Sequence, residues 1–438
     1  MIKTVLLSIT LVLFVGCGSS GGSSSSPVSS SSSDDSNIIQ TTVAKSSIPM
    51  LAVLVSYNNV QISSSTNTWS QKLFGKSEGE LNHYYIQASS GNFEFTPAEN
   101  GNSVVENGTV ALQLYKNHPD INIDNTFFFD NEVHSDLKST LVVLDDYIDF
   151  SNYDADANGA ITPDELLLTF IIAGYEDSYE GAHVTNGIWA HQSCIADSKN
   201  IPVLDSVTLM SCNDNGNFAL FGELHDAQNP HDATIGIIAH ELGHSAFNLP
   251  DLYNTSNQYS GGIGVFGLMG AGTWTTKSIY EHPGETPTHF SAWSKVYNRW
   301  ITPRVESATS TTLSATSSAD YDIIKIPINS SSYYLLENRA NSGYDEGLYT
   351  LDGNFQGGLA IWKIDNSKLT ENHFYNNSVN SDTNNKGVDL VEAYNGDIDS
   401  NGGYGNARAL YYTGNKNYFL NLVSDISQPG STMSLNIN

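Results

Sequence analysis

Basic residues are scarce in this chain. Its 438 residues include 18 Lys and Arg against 47 Asp and Glu, which leaves a formal net charge of −29 at pH 7. A surface of this sign repels nucleic acid and anionic lipid headgroups, so no nucleic-acid partner is expected. The acidity suits an exported protein that must stay soluble, and it also favours cationic partners and divalent metal ions.

Cysteine is also scarce, with three residues in the chain. Cys17 belongs to the N-terminal leader, which leaves Cys194 and Cys212. In an oxidising compartment these two are expected to form a disulfide, and two buried free thiols are the alternative. Closing so short a loop stabilises a fold by roughly 3 kcal/mol on the chain-entropy model.

Long apolar runs are lacking, and the run at residues 5–15 is too short for a comfortable membrane span. It ends in Leu13-Phe14-Val15-Gly16-Cys17, which resembles a bacterial lipoprotein lipobox. We expect residues 1–17 to be a signal peptide and Cys17 to be lipidated; an ordinary signal peptide cut elsewhere is the alternative. Acylated Cys17 would be the one membrane contact, anchoring an exported lipoprotein at the outer membrane or cell surface, with extracellular release as a further outcome.

Composition predicts the domain organisation of the rest. Residues 18–45 are rich in Ser and Gly, cannot bury a core and are expected to form a flexible tether. The remaining chain is too long for one compact core, so two domains are expected. Residues 46–303 are predicted to form the first domain, and residues 304–438 are predicted to form a second, β-rich domain.

Local patterns predict individual elements. Buried strands are expected at 49–56 and 166–173, because these runs are almost continuously apolar. A helix is predicted over 74–88 and a strand over 91–95. A second helix is predicted over 233–247, with Asp232 as its N-cap and Asn248 as its left-handed end. Residues 307–319 are predicted to be a connection without strands.

The most informative segment is His240-Glu241-Leu242-Gly243-His244, which follows an apolar run. Residues four apart lie on one face of a helix, so both imidazoles can bind a single zinc ion. Glu241 lies beside them, where it can accept a proton from a metal-bound water. Two surface histidines on a solvated helix are the alternative, but they do not explain the apolar run.

A catalytic zinc ion usually has three protein ligands and keeps its fourth position open. Asp251, in Pro250-Asp251-Leu252-Tyr253, is the candidate for the third ligand; a turn that only ends the helix is the alternative. Downstream, Met269 lies in a segment that looks like a Met-turn, in which a methionine lies beneath the zinc ligands. Ordinary core packing is the alternative for Met269.

Together these segments resemble the secreted zinc metallopeptidases of the immune inhibitor A type, a metzincin-like family. That family carries a His-Glu-x-x-His helix, a Gly-Leu-Pro-Asp-x-Tyr turn and a later Leu/Ile-Met-x-x-Gly-x-Trp segment. The corresponding segments here are 240–244, 248–253 and 268–274, with weaker matches in the same order at 84–91, 187–191, 287–297, 336–339 and 358–362.

The resemblance implies an α+β fold, with a mixed twisted sheet and an active-site helix followed by a β-sandwich-like domain. It also implies a zinc-dependent endopeptidase that hydrolyses protein or peptide substrates. The alternative is a catalytically weak or inactive surface adhesin or substrate-binding protein on the same fold. The intact Glu241 argues against that alternative, because a binding protein needs no base at this position.

One departure from the family leaves the third ligand open. The family has Gly three residues after the second histidine, where this chain has Phe247, and Asn248 takes the place of that Gly one residue later. An extra residue turns a helical segment by about 100°. Asp251 and a more distant residue both remain candidates.

Residues 154–165 fit the calcium loop of an EF-hand. Oxygen donors fall at loop positions one, three, five and twelve, the Gly falls at six, and the residue at seven offers its backbone carbonyl. The proposed ligands are Asp154, Asp156, Asn158, Ala160 and Glu165. Because a strand is predicted to follow, we expect a structural Ca²⁺ site within residues 46–303, the predicted zinc metallopeptidase catalytic domain. An Asx-rich turn without an ion is the alternative.

Overall fold

In the computed structural model, the residues described are 45–99, 104–120, 131–180, 184–256, 261–351, 353–394, 398–399, 403–415 and 421–438. The predicted signal peptide, Cys17 and all of the tether except its last residue lie outside these ranges. None of the helices within them has the length and apolar character needed to cross a bilayer.

The described residues form seven α-helices and eighteen strands. The helices are α1 (Thr66–Phe74), α2 (Leu81–Ala88), α3 (Asn131–Leu144), α4 (Asp177–Glu180), α5 (Ile235–Phe247), α6 (Ala292–Tyr297) and α7 (Glu371–Tyr375). The strands are β1 (Ser47–Ser56), β2 (Glu94–Pro97), β3 (Thr109–Gln113), β4 (Leu167–Glu176), β5 (Gly187–Ile188), β6 (His191–Ser193), β7 (Val203–Leu204), β8 (Val207–Thr208), β9 (Phe218–His225), β10 (His231–Asp232), β11 (Arg304–Val305), β12 (Ser310–Ser314), β13 (Ile324–Pro327), β14 (Ser332–Ala340), β15 (Gly357–Asp365), β16 (Val388–Leu390), β17 (Val423–Ser424) and β18 (Thr432–Ile437).

The largest sheet is mixed and has eight strands. Its main path runs β10-β9-β4-β1-β2, with β3 also paired to β1, β5 to β4 and β6 to β9. β1 and β4 are parallel neighbours, with Met50 opposite Leu167, and both strands are buried along almost their whole length. The strand predictions at 49–56 and 166–173 are therefore confirmed, since central parallel strands buried on both faces are continuous apolar runs.

The predicted helix over 74–88 is partly wrong. α1 ends at Phe74, where the N–H of Gly75 donates to the carbonyl of Gln71, and α2 begins only at Leu81. Between them Gly79 has a φ of +87°, a conformation that glycine adopts readily and that interrupts a helix. The strand predicted at 91–95 begins three residues later than expected, as β2.

Beyond residue 303 the chain forms a sheet of five strands, ordered β11-β13-β14-β15-β16, and a sheet of three, ordered β12-β18-β17. Apolar side chains from both sheets, such as Leu336 and Met433, form one cluster. Trp362 belongs instead to the main core, which also contains β1 and α5. The main core thus includes side chains from both sides of residue 303, and the domain boundary there stays a prediction.

The segment 307–319 was predicted to lack strands, and this is wrong. It contains β12, which pairs antiparallel with β18 from Ser310 opposite Asn436 to Ser314 opposite Thr432. The β-branched Thr311 and Thr312 suit a pleated strand, and the pairing with the distant C-terminal segment stabilises them there.

Cys194 and Cys212 form a disulfide, with their Cα atoms 4.9 Å apart. The loop that it closes contains the hairpin of β7 and β8. Two backbone hydrogen bonds join the same two ends of the loop. The N–H of Ile195 donates to the carbonyl of Met210, and the carbonyl of Ile195 accepts from the N–H of Cys212.

Candidate metal centre

Helix α5 carries the two spaced histidines and is buried along its whole length. Its N-cap is Thr234, so the prediction of Asp232 is wrong: Asp232 lies in β10, and its carboxylate accepts a 2.7 Å hydrogen bond from the hydroxyl of Ser64. At the other end Asn248 adopts the predicted left-handed conformation, with a φ of 50°, and its N–H donates to the carbonyl of His244.

Three ligand-type atoms meet beside α5. Nε2 of His240 and Nε2 of His244 are 3.1 Å apart, and Oδ1 of Asp251 lies 3.0 Å from the first and 3.2 Å from the second. Asp251 is fully buried and the two histidines are nearly so. Among the described residues, the structure therefore brings Asp251 to the histidine pair.

The turn after α5 explains how Asp251 reaches this position in spite of the extra residue. The left-handed Asn248 ends the helix, and the N–H of Leu249 returns to the carbonyl of Gly243. A rotation of about 100° per residue applies only while the chain stays helical. Because the chain leaves the helix at Asn248, the insertion is absorbed before Asp251.

Backbone carbonyls fix the orientation of both imidazoles. Nδ1 of His240 lies 3.0 Å from the carbonyl oxygen of Leu268, and Nδ1 of His244 lies 2.6 Å from that of Leu249. A carbonyl can only accept, so each Nδ1 carries a proton and donates it, which leaves Nε2 of each ring facing the pocket. Without a proton or a metal ion there, two Nε2 lone pairs and a carboxylate oxygen would face one another, which is unfavourable unless positive charge lies among them.

The pKa values of the centre reflect the same need for positive charge. Burial lowers the pKa of His244, but the neighbouring carboxylates, first Asp251 and then Glu241, outweigh it and raise this pKa to about 9. Burial raises the pKa of Asp251, whereas the two histidines hold it well below its usual range. The pocket is therefore built to hold a cation against a carboxylate.

The donor set fits zinc. Zinc in proteins takes imidazole nitrogen and carboxylate oxygen at about 2.0–2.1 Å, and tetrahedral ligands at that distance are about 3.3 Å from one another. The separations of 3.0–3.2 Å among His240, His244 and Asp251 are close to that value. Three protein ligands also leave the fourth position that a catalytic site requires.

Glu241 lies within α5 and Met269 lies against it. Glu241 is fully buried on the same helix, and its charge contributes to the raised pKa of His244, so its carboxylate is within electrostatic reach of the centre. Met269 packs against the helix: a Cβ added to Gly243 would lie 2.7 Å from its Sδ. The ring of Tyr253 is stacked near that of His240, with centroids 6.5 Å apart.

Two further residues at the centre were missed from the sequence. The hydroxyl of Thr273 lies 3.0 Å from Nδ1 of His240 and donates to the carbonyl of Leu268 at 2.8 Å. Asn377 contacts Asp251, although 126 residues separate them in the chain. Thr273 lies in residues 268–274, the predicted Met-turn segment, and this gives a weak signal. Asn377 lies in an Asn-rich stretch that carries no local signal for such a contact.

The acidic loop at 154–165 forms a second cluster. Asp154, Asp156 and Glu165 each offer a carboxylate oxygen, and these oxygens lie within 4.8 Å of one another. The side-chain oxygen of Asn158 accepts from the N–H of Ala160 at 2.8 Å. Strand β4 follows at Leu167, as predicted, where an EF-hand has a helix.

Backbone hydrogen bonds attach this loop to the hairpin of β7 and β8. The N–H of Ile161 donates to the carbonyl of Thr208 at 2.8 Å, and the N–H of Thr208 donates to the carbonyl of Gly159 at 2.9 Å. Thr208 lies inside the loop that the disulfide closes. The acidic loop and the disulfide therefore belong to one connected substructure.

Two kinds of known protein are similar to this chain. The pre-pro-metalloprotease PrtV of Vibrio cholerae serotype O1, from two strains, is 31% identical over 172 residues, which is 36% of this chain and 17% of PrtV. The match thus spans less than a fifth of those relatives. Wild-type OgpA from Akkermansia muciniphila aligns over 77% of this chain and 89% of its own at 12% identity with a TM-score of 0.29. Its inactive form in complex with an O-glycopeptide, glycodrosocin, aligns with a TM-score of 0.26.

A family model covers more of the chain than the match to PrtV does. The catalytic domain of immune inhibitor A peptidase M6 matches residues 57–302, which is more than half of the sequence. This span contains the acidic loop, the histidine helix, the turn with Asp251 and the segment with Met269. The chain therefore belongs to the immune inhibitor A family of metallopeptidases, peptidase M6, through its catalytic domain.

Proposed function

We propose that this chain is a zinc-dependent endopeptidase, in which His240, His244 and Asp251 bind the metal ion and Glu241 transfers the proton. The observation that carries the proposal is the convergence of two imidazole Nε2 atoms and one carboxylate oxygen within 3.0–3.2 Å, in a buried pocket next to a second carboxylate. Membership of a metallopeptidase family supports the reaction class.

Each residue of the centre has a role in the proposed reaction. A zinc ion bound there supplies a Lewis acid that polarises a peptide carbonyl and brings the pKa of water toward neutrality. Glu241 accepts the proton of the attacking water and passes it to the leaving amine. The carbonyls of Leu268 and Leu249 hold both rings with Nε2 toward the pocket, an outer layer of contacts that raises the affinity of histidine for metal.

Casein cleavage by the purified protein tests the proposal. We expect cleavage in the presence of zinc, its loss with a zinc chelator and its recovery when zinc is restored. Glu241→Gln should abolish cleavage while zinc still binds, whereas Glu281→Gln, the same change in a carboxylate that accepts from the hydroxyl of Thr286 and is not one of the proposed metal-centre residues, should not. Cleavage that resists the chelator, or full activity in Glu241→Gln, contradicts the mechanism. Zinc binding at one equivalent without cleavage of any protein supports the alternative, a surface adhesin or substrate-binding protein.

Export as a lipoprotein is a separate proposal. The apolar leader and the lipobox-like end at Cys17 support it, and the disulfide between Cys194 and Cys212 is typical of an oxidising compartment. The protein would act on protein or peptide substrates at the outer membrane or cell surface. Metabolic labelling with radioactive palmitate should mark the wild type and not Cys17→Ser; equal labelling of both, or of neither, contradicts the anchor.

A structural Ca²⁺ ion in the acidic loop is the third proposal. Three carboxylate oxygens within 4.8 Å repel one another unless a cation lies among them. Calcium should raise the melting temperature of the wild type, and Asp156→Ala should abolish most of that rise. A melting temperature that does not respond to calcium in the wild type contradicts the proposal.

A further inference from the structure

We propose that Asn377 positions the metal-binding carboxylate of Asp251, so that a segment outside the family-matched span completes the metal centre. The inference rests on the proposed function, because it takes Asp251 to be a ligand. Asn377 itself is a positioning residue: it contacts the carboxylate and not the metal-binding atoms of the histidines.

Asn377 binds Asp251 at two points in opposite directions. Its Nδ2 donates to Oδ2 of Asp251 at 2.5 Å, and its Oδ1 accepts from the backbone N–H of Asp251 at 2.9 Å. One amide therefore holds both the backbone and the carboxylate of the same residue. An amide can do this because it carries a donor and an acceptor, whereas a carboxylate or a hydrocarbon side chain cannot.

The two oxygens of Asp251 consequently have different partners. Oδ2 is held by Asn377, and Oδ1 faces the two imidazole nitrogens at 3.0 and 3.2 Å. A carboxylate rotates over a broad range about its last bond when nothing holds it. The bond from Asn377 fixes that rotation, and it also supplies a donor to a charge that is fully buried.

The segment that carries Asn377 is itself held against the turn. Its carbonyl accepts a 2.7 Å hydrogen bond from the hydroxyl of Thr255, and its own φ is +46°. Three residues later, Nδ2 of Asn380 donates to the carbonyls of Leu252 at 2.9 Å and Val388 at 2.8 Å. Two buried asparagines therefore hold two successive residues, Asp251 and Leu252.

The other side of the same turn contacts the Met-turn segment. The N–H of Leu252 donates to the carbonyl of Met269 at 2.7 Å. The residue that supplies the third ligand thus lies between the Met-turn segment and the segment containing Asn377. Loss of the hydrogen bonds from Asn377 leaves the two histidines fixed by α5 but frees the carboxylate of Asp251. The expected effect is therefore a loss of metal affinity.

Zinc affinity of the full chain tests the inference. Asn377→Gly removes the amide and keeps the positive φ without strain. Asn377→Asp keeps the shape of the side chain but places its carboxylate against that of Asp251, so that two like charges face each other. Both should weaken zinc binding, measured by competition with a chromophoric chelator, by about 10–100-fold. The exposed neighbour variant Asn376→Ala should leave it unchanged. Melting of the chelator-treated proteins reports any general loss of fold.

Asn380→Ala distinguishes loss of positioning of the Asp251 carboxylate from general loosening of the turn at residues 248–253. Asn380 bonds backbone groups there and not that carboxylate. It should lower the melting temperature and weaken zinc binding less than Asn377→Gly does. Unchanged zinc affinity in the folded Asn377 variants, or equal weakening in Asn380→Ala, overturns this inference while the proposed function stands. A wild type that binds no zinc overturns the proposed function, and this inference with it.

Discussion

Gly243 and Met269 approach so closely that no side chain fits between them. A Cβ at Gly243 would lie 2.7 Å from Sδ of Met269. Met269 is 1% exposed, so its thioether has little room to move away. The contact fixes the distance between α5, which carries His244, and the segment whose Leu268 carbonyl orients His240.

Gly243→Ala should therefore destabilise the fold. Alanine at a helical glycine normally stabilises by about 0.5–1 kcal/mol, but overpacking of a buried contact costs about 1–3 kcal/mol. We expect the cost of overpacking to exceed the gain in helix propensity. Urea unfolding in the presence of a zinc chelator measures the resulting change in unfolding free energy. In the double variant with Met269→Ala, the loss should be smaller than the sum of the two single losses. A stabilised single variant, or strict additivity, contradicts the packing argument.

The disulfide and the proposed Ca²⁺ site in the acidic loop should be energetically coupled, because Thr208 lies inside the disulfide loop and pairs with Gly159 and Ile161. Replacing Cys194 and Cys212 by Ser should weaken calcium binding by about fivefold or more, the lower range of coupling between sites. Calorimetric titration with Ca²⁺ measures this, and zinc affinity in the same variant is the control. Calcium affinity equal to that of the wild type would show that the two features are independent.

Helix α5 could be predicted because its signals are local. The four-residue spacing of His240 and His244 and the apolar run before them are features of a single helix. Its start was misjudged, since Asp232 and Thr234 are both residue types that cap helices. The pairing of β10 with β9 decides between the two residues, because it places Asp232 in a strand opposite Leu224 and leaves Thr234 as the N-cap. That pairing is tertiary information.

What escaped prediction depends on contacts between distant parts of the chain. β12 forms because β18 lies beside it, and local composition around Thr311 indicated only a connection. The contact between Asn377 and Asp251 spans 126 residues. The position of Asp251 was left open because one extra residue has opposite consequences in a helix and in a turn. The left-handed conformation of Asn248 in the structure shows that the extra residue falls in the turn and not in the helix.

The end of α5 provides a third prediction. Asn248 has a φ of 50° and a ψ of 34°, a region that Gly and Asn adopt far more readily than other residues. Asn248→Ala should cost about 1–2 kcal/mol of unfolding free energy, whereas Asn248→Gly should cost much less. Urea unfolding of the three proteins checks the order. An alanine variant as stable as the glycine variant would mean that the turn before Asp251 can adopt another conformation.

The stability of the protein should fall in mild acid through His289. Its side chain is fully buried, and neither ring nitrogen has a hydrogen-bond partner among the described residues. Burial lowers its pKa to about 3; the nearby Asp345 opposes this shift, while Lys295 and Arg339 add to it. Between pH 6.5 and 3 the unfolded chain therefore binds a proton at this residue that the folded chain does not, and stability falls as the pH falls.

Between pH 7 and pH 5 this one group should remove about 2 kcal/mol of unfolding free energy, given an unfolded pKa near 6.5. His289→Phe cannot bind the proton, so its unfolding free energy should fall less over the same range. The difference between the two proteins isolates His289, because every other titrating group is common to both. Urea unfolding of chelator-treated protein at the two pH values measures it. Parallel losses in wild type and variant would show that His289 is protonated in the folded state as readily as in the unfolded chain.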